Sequence, residues 1–198
     1  MKEIVNQSLK QSYSYPEYKQ LITDLLTQNK STGSQQTADL THYSALNEAR
    51  MKRLDKTIVV TPEIMNGLQT LRKEYILLVI TEGWCGDAAQ ILPIINKMAA
   101  LTPSIELRLV LRDDNEELMN LFLTNNAKSI PIVIAVEKET GTVLNSWGPR
   151  PNGALELVSN YKKEFGVIDD NLKTNLQLWY LQDKGLSTQS EILQLLID

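Results

Sequence analysis

The sequence predicts an α/β fold, a mixed sheet flanked by helices with helical extensions at both ends, and three observations predict it. Between residues 57 and 166, short β-branched or apolar runs alternate with helical periodicities in the order β-α-β-α-β-α-β-β-α, which describes crossovers closed by a hairpin. On both sides of that stretch the apolar residues keep a three-to-four spacing and form no strand-like run. The composition, 42% hydrophobic and 22% charged over 198 residues, suits one buried core with sizeable additions. The expected organisation is a helical N-terminal extension at 1–56, an α/β domain at 57–166 and a helical C-terminal extension at 167–198.

The elements follow in order. Tyr18, Leu21, Ile22, Leu25 and Leu26 form the apolar stripe of an amphipathic helix opened by Pro16 and Glu17. Residues 29–37 carry no strongly apolar side chain but hold Asn29 and Gly33, so they are expected to form a mobile loop or linker before a second helix at 41–55. A short strand is expected at 57–60, then Thr61 as N-cap and Pro62 as first residue of a helix reaching about residue 73. The nearly continuous apolar run at 75–81 has the length and character of a central strand covered on both faces. It leads through Glu82 and Gly83 into a helix from about residue 85 to 101.

A strand at 105–111 precedes Asp114 and Glu117, a capping-box-like start to a helix bearing Leu118, Leu121 and Phe122. Strands at 132–137 and 142–147 pair through a hairpin loop that ends on Gly141. Leu155, Val158, Tyr161 and Phe165 line a helix that Gly166 terminates. Beyond it Leu172, Leu176, Trp179 and Tyr180 keep helical spacing, Gly185 breaks it, and Thr188 with Glu191 makes a capping box for a last helix.

Charge and composition exclude several functions. Twenty Lys and Arg against 24 Asp and Glu give a net charge of −4, which disfavours a broad grip on nucleic acid or on a membrane surface. The longest strongly apolar run, 76–80, is about a quarter of the roughly 20 residues a bilayer requires, and the first residues lack the apolar core of a secretory signal. A cytoplasmic location is the default. Cys85 and His42 are the only cysteine and histidine, so no disulfide closes within the chain, no zinc cage of Cys and His can form, and no cofactor is expected.

The chemistry-bearing segment is Trp84-Cys85-Gly86-Asp87-Ala88, set where the central strand turns into a helix, with the thiol at the positive end of the helix dipole. Pro93 follows eight residues on, Ile130-Pro131 precedes the hairpin, and Gly141 and Gly148 close it. On these residues the chain resembles the thioredoxin superfamily over about 57–165, and more narrowly a bacterial branch with Cys-Gly-Asp-Ala in the redox loop and a helical N-terminal extension. The resemblance implies a thioredoxin-like sheet, Cys85 as the catalytic thiol supported by Trp84, Gly86 and Asp87, and a cis bond before Pro131 beside the thiol. Ile130 and Pro131 would then bind substrate. Arg112, Lys128 and Arg150 fall near the site by the same analogy.

The departures constrain function. Ala88 occupies the place of a resolving cysteine, Asp87 that of the loop proline, and Val79 that of the buried strand acid. A catalytic cycle would have to run as a monothiol thiol–disulfide oxidoreductase: Cys85 thiolate attacks a disulfide on a protein or low-molecular-weight thiol, and an external thiol then releases Cys85. The alternative is a non-catalytic thioredoxin-like protein-binding module. Glu82 and Asp87 both oppose the dipole by favouring the protonated thiol, which leaves the sign of its shift open.

Overall fold

Nine helices and four strands make up the described residues, 1–197, of the computed structural model. The N-terminal helices are α1 (Lys2–Lys10), α2 (Tyr15–Thr27) and α3 (Ala38–Thr57). The α/β part comprises α4 (Pro62–Gln69), β1 (Tyr75–Thr81), α5 (Gly86–Ala99), β2 (Ile105–Leu111), α6 (Glu116–Asn120), β3 (Ile132–Glu137), β4 (Thr142–Trp147) and α7 (Asn152–Phe165). The chain continues as α8 (Asp170–Asp183) and α9 (Leu186–Ile197). The sheet order is β2-β1-β3-β4. β1 runs parallel to β2 and antiparallel to β3, and β3 pairs antiparallel with β4. This is an α/β thioredoxin-like arrangement with helical extensions at both ends.

β1 is buried at every position but Ile76, which explains its unbroken apolar sequence, and helices α1, α2 and α5 pack on its parallel neighbour β2. Along α5, ten of fourteen residues are buried, so this helix is apolar nearly all round and runs through the middle of the protein. Tyr13 exchanges two backbone hydrogen bonds of 2.8 Å with Leu109, and Arg108 donates to Ser12, so the outer edge of β2 is closed by the N-terminal segment.

Three expectations fail for physical reasons. Thr57 ends α3, and residues 58–61 run extended without a sheet partner. Their backbone is satisfied by side chains instead: Gln189 of α9 donates to Val59 O and accepts from Thr61 N at 3.1 Å each, and Lys97 Nζ donates to Ile58 O. Residues 29–37 are not a free linker. Ser31 and Thr32 are buried, Ser31 Oγ lies 2.6 Å from Ser44 Oγ, and Gln36 bridges the turn at Ser31 and Gly33. Finally, neither expected downstream capping box forms. Asn115 caps α6 without a side-chain bond, and Thr188 lies inside α9 while Glu191 bonds Trp147 Nε1 and Asn152 N.

Candidate functional site

The site grows from the end of β1. Glu82 and Gly83 turn the chain, Cys85 becomes the N-cap of α5, and its Sγ accepts from Ala88 N at 3.5 Å. Opposite it the Ile130–Pro131 peptide is cis, and the Cys85 thiol donates to Ile130 O at 3.4 Å. The Gly148–Pro149 bond is cis as well. Gly148 has φ +133°, and a Cβ there would sit 2.3 Å from Pro131 O, so the loop after β4 packs against the loop before β3 only because this residue has no side chain.

Cys85 is 7% exposed. Burial pushes its thiol up to about 12, the Asp87 carboxylate pushes the same way, and the Ala88 amide and Arg150 guanidinium offset only part of this. The hydrogen bonds agree with that direction. A protonated sulfur donates to the Ile130 carbonyl, whereas a thiolate would face that oxygen and Asp87 with no proton between them.

Asp87 is buried yet fully engaged. Arg150 Nη2 lies 2.6 Å from Oδ2, and the Tyr180 hydroxyl of α8 donates to Oδ1 at 2.9 Å. Burial drives the carboxyl upward, while Arg150 and Tyr180 restrain it. The Tyr180 hydroxyl is raised well above its usual value by burial and then by the Asp87 charge; burial lowers the Arg150 guanidinium, but the charge and hydrogen bond of Asp87, with Tyr180 and Cys85, together leave it raised. On the other side of the thiol, Glu82 Oε1 accepts from Asp113 N at 3.0 Å, but Oε2 has no hydrogen-bond partner among the described residues.

Both extensions reach this loop. From the N-terminal side Ile22 packs on Gly83, Thr32 Oγ1 accepts from Gly83 N at 2.8 Å, and Asn47 of α3 donates to Gly83 O at 2.9 Å. From the C-terminal side Gln177 accepts from Gln90 at 2.7 Å, and Tyr180 holds Asp87. A Cβ on Gly86 would lie 3.8 Å from Arg50 Nη1 and 4.0 Å from Gln177 Nε2, so α3 and α8 flank the loop together.

The sequence-predicted residues therefore converge in space. Cys85, Gly86, Asp87, Ile130 and Pro131 form one cluster, and Trp84 stands beside it, half-buried under the Arg112 guanidinium at 4.8 Å. Ile130 and Pro131 are buried, and Ile130 O is taken by Cys85. Arg150 joins the cluster directly, whereas Lys128 pairs with Glu116 at the surface. Tyr180, Gln177, Thr32 and Asn47 complete the site, and their small polar contacts leave no motif in the sequence. No group of three or more His, Cys, Asp or Glu able to hold a metal exists among the described residues. No helix among them is long and apolar enough to cross a membrane.

A four-stranded sheet with the thiol capping the helix after its first strand, opposite a cis-proline, defines a thioredoxin-like protein. A thioredoxin family model matches residues 33–163, and the chain belongs to that family. Among solved structures it is similar to a protein of unknown function from Pseudomonas aeruginosa, at TM-score 0.60 and 20% identity over 92% of this chain and 96% of that one. It is also similar to an HIV epitope-scaffold, at TM-score 0.58 and 20% identity over 92% of this chain and 97% of that one. At such identity both likenesses speak for the fold alone. No curated protein matches.

Proposed function

We propose that this chain is a non-catalytic thioredoxin-like protein-binding module, in which the redox loop serves as the joint between two helical extensions. The observation that carries this reading is the thiol itself: 7% exposed, bonded through its proton to Ile130 O, and pushed up to about 12. At neutral pH such a sulfur holds a negligible thiolate fraction, and the thiolate is the nucleophile in disulfide exchange. Ala88 supplies no resolving thiol. Ile130 O, which a substrate strand would need beside Pro131, already accepts from the Cys85 thiol, and Pro131 is buried. A single free cysteine and a net charge of −4 suit a cytoplasmic protein whose partners are proteins, not nucleic acid or membrane.

A disulfide-reduction assay with added glutathione, run with the Cys85→Ser variant and a dithiol thioredoxin as references, tests the reading. Turnover equal to that of Cys85→Ser is expected. Turnover that depends on Cys85 and on glutathione would overturn it in favour of the monothiol oxidoreductase.

That second reading has one specific support: Cys85 keeps the N-cap position, with the Ala88 amide and the Arg150 guanidinium both favouring thiolate. In that case α8 must first release Asp87 and Gln90. The freed Cys85 thiolate would then attack a mixed disulfide, expel one thiolate, and be regenerated when an external thiol attacks the new bond.

A further inference from the structure

Two helices that hold the redox loop also frame an open groove. α3 presents Leu46, Ala49, Arg50 and Arg53, at i, i+3, i+4 and i+7, and α8 presents Thr174, Gln177, Leu178 and Leu181 at the same spacing. Gln90 of α5 lies at the base, and the space between is a cavity of about 460 Å³. It shares Arg53, Gln90 and Leu181 with a second cavity of about 490 Å³, where Val59, Lys184 and Leu186 continue the wall. Large apolar side chains are left open here: Leu181 is 58% exposed and Val59 76%. Facing stripes at helical spacing form the kind of trough into which a third helix lays its apolar face.

Charge selects the occupant. Arg50, Arg53 and Lys184 line these cavities, and among the described residues no aspartate or glutamate does. Among the described residues Arg53 makes no ion pair, and Arg50 Nη1 donates to the neutral Asn47 Oδ1. The carboxylate that acts on Arg50, Asp87, is held by Arg150 and Tyr180. In a chain with a net charge of −4, an apolar trough edged only by cations is complementary to an acidic partner.

We propose that the α3–α8 groove docks an amphipathic helix of a partner protein, with apolar residues at i, i+3, i+4 and i+7 between Leu46, Leu178 and Leu181, and with flanking carboxylates on Arg50 and Arg53. This rests on the binding-module reading and names the class of its partner. Because α3 and α8 also hold Gly83 and Asp87, a docked helix would brace the joint over Cys85.

The test uses the full chain and three labelled peptides of about 18 residues, long enough for a helix, followed by fluorescence anisotropy. One peptide carries Leu at the helical apolar positions with flanking Glu, one has Lys for Glu, and one scatters the leucines around the helix. Saturable binding of the first is expected, weaker by at least about tenfold for each of the others. Arg53→Glu should shift the preference toward the Lys peptide, and Leu181→Asp should abolish binding. Both positions are exposed, so thermal melts should match the parent, and Leu178→Gln provides a milder second variant.

No saturation with the Glu peptide up to about 1 mM, equal binding of all three, or binding indifferent to Leu181→Asp would overturn the proposal. So would sedimentation as a dimer that Leu181→Asp dissociates, or tighter binding to phosphatidylserine vesicles than to the peptide. Failure here with an inert Cys85 removes the groove and leaves the module reading, whereas Cys85-dependent turnover removes that reading whether or not a peptide binds.

Discussion

Glu82 and Asp87 flank the single thiol, both buried, and the protein handles the two carboxyls in opposite ways. Asp87 has a guanidinium at 2.6 Å and a phenol at 2.9 Å, so both its oxygens are bonded, and through Tyr180 it ties the C-terminal helix α8 to the loop at Cys85. Glu82 has one amide on Oε1, and its Oε2 has no hydrogen-bond partner among the described residues. Burial raises its carboxyl, held back in part by the nearby Thr32 hydroxyl and the Asp113 amide. The N-terminal extension accordingly grips the neighbouring Gly83 with neutral groups, Thr32 and Asn47. The contrast separates an electrostatic fastening on one side of Cys85 from a neutral, packed one on the other, and it predicts that the two sides fail differently.

The largest effect is expected at Arg150. Replacing it by methionine strands Asp87 as a buried, unpaired charge, which costs about 3–5 kcal/mol at neutral pH. In that variant the folded-state Asp87 carboxyl rises further, so its penalty is greatest above the ordinary carboxylate range and fades as acid protonates it. Urea melts of both proteins between acidic and neutral pH measure this.

Removing only the phenol hydroxyl comes next. Tyr180→Phe should cost about 1–2 kcal/mol and, by easing the release of α8, raise Cys85 alkylation roughly tenfold. Thr32→Val on the opposite side strands the Gly83 amide and should cost a similar amount of stability with less effect on the thiol, since α8 stays closed. Alkylation and melting measured on both variants would separate the two fastenings. An equal change in alkylation for both would erase the distinction.

The smallest effect is at Glu82. Its folded carboxyl lies above the ordinary 4.5, so whatever it contributes is fully present below that pH and is lost as pH rises through the folded value. Glu82→Gln, which carries no charge to bury, should match the parent in acid and become more stable by up to about 1 kcal/mol toward neutrality. A loss of stability at neutral pH, read from chemical melts, would show that the charge at Glu82 is wanted.

How much of this was readable in advance depended on the kind of interaction. The run at Tyr75–Thr81, the helix after Cys85 and the closing hairpin were legible because burial imposes period and length on apolar residues. Ile58 and Val60 carry the same apolar signal and are buried around the exposed Val59, yet no strand forms there, because periodicity reports burial and says nothing of which groups take the backbone bonds. Gln189, 128 residues from Thr61, takes them. The contacts of Ser31, Thr32 and Asn47 were invisible for the converse reason: polar side chains pairing across space leave no period. Helix α1 was missed too, since Val5 is its only fully buried apolar residue. Around Cys85 the motif residues can be picked out in the sequence, while Tyr180, 93 residues from Asp87, reads there only as part of a helical stripe, yet it holds the loop's carboxylate.

The account turns on Cys85 being a buried thiol at a joint between two extensions, and the pH dependence of its alkylation by iodoacetamide tests that most directly. In the native full chain the rate should stay at least about a hundredfold below that of the denatured chain, as expected when reaction waits on opening. It should show no inflection below about pH 10, in keeping with a thiol pushed up to about 12. An inflection near or below pH 8, with a native rate equal to or above that of the denatured chain, would contradict it.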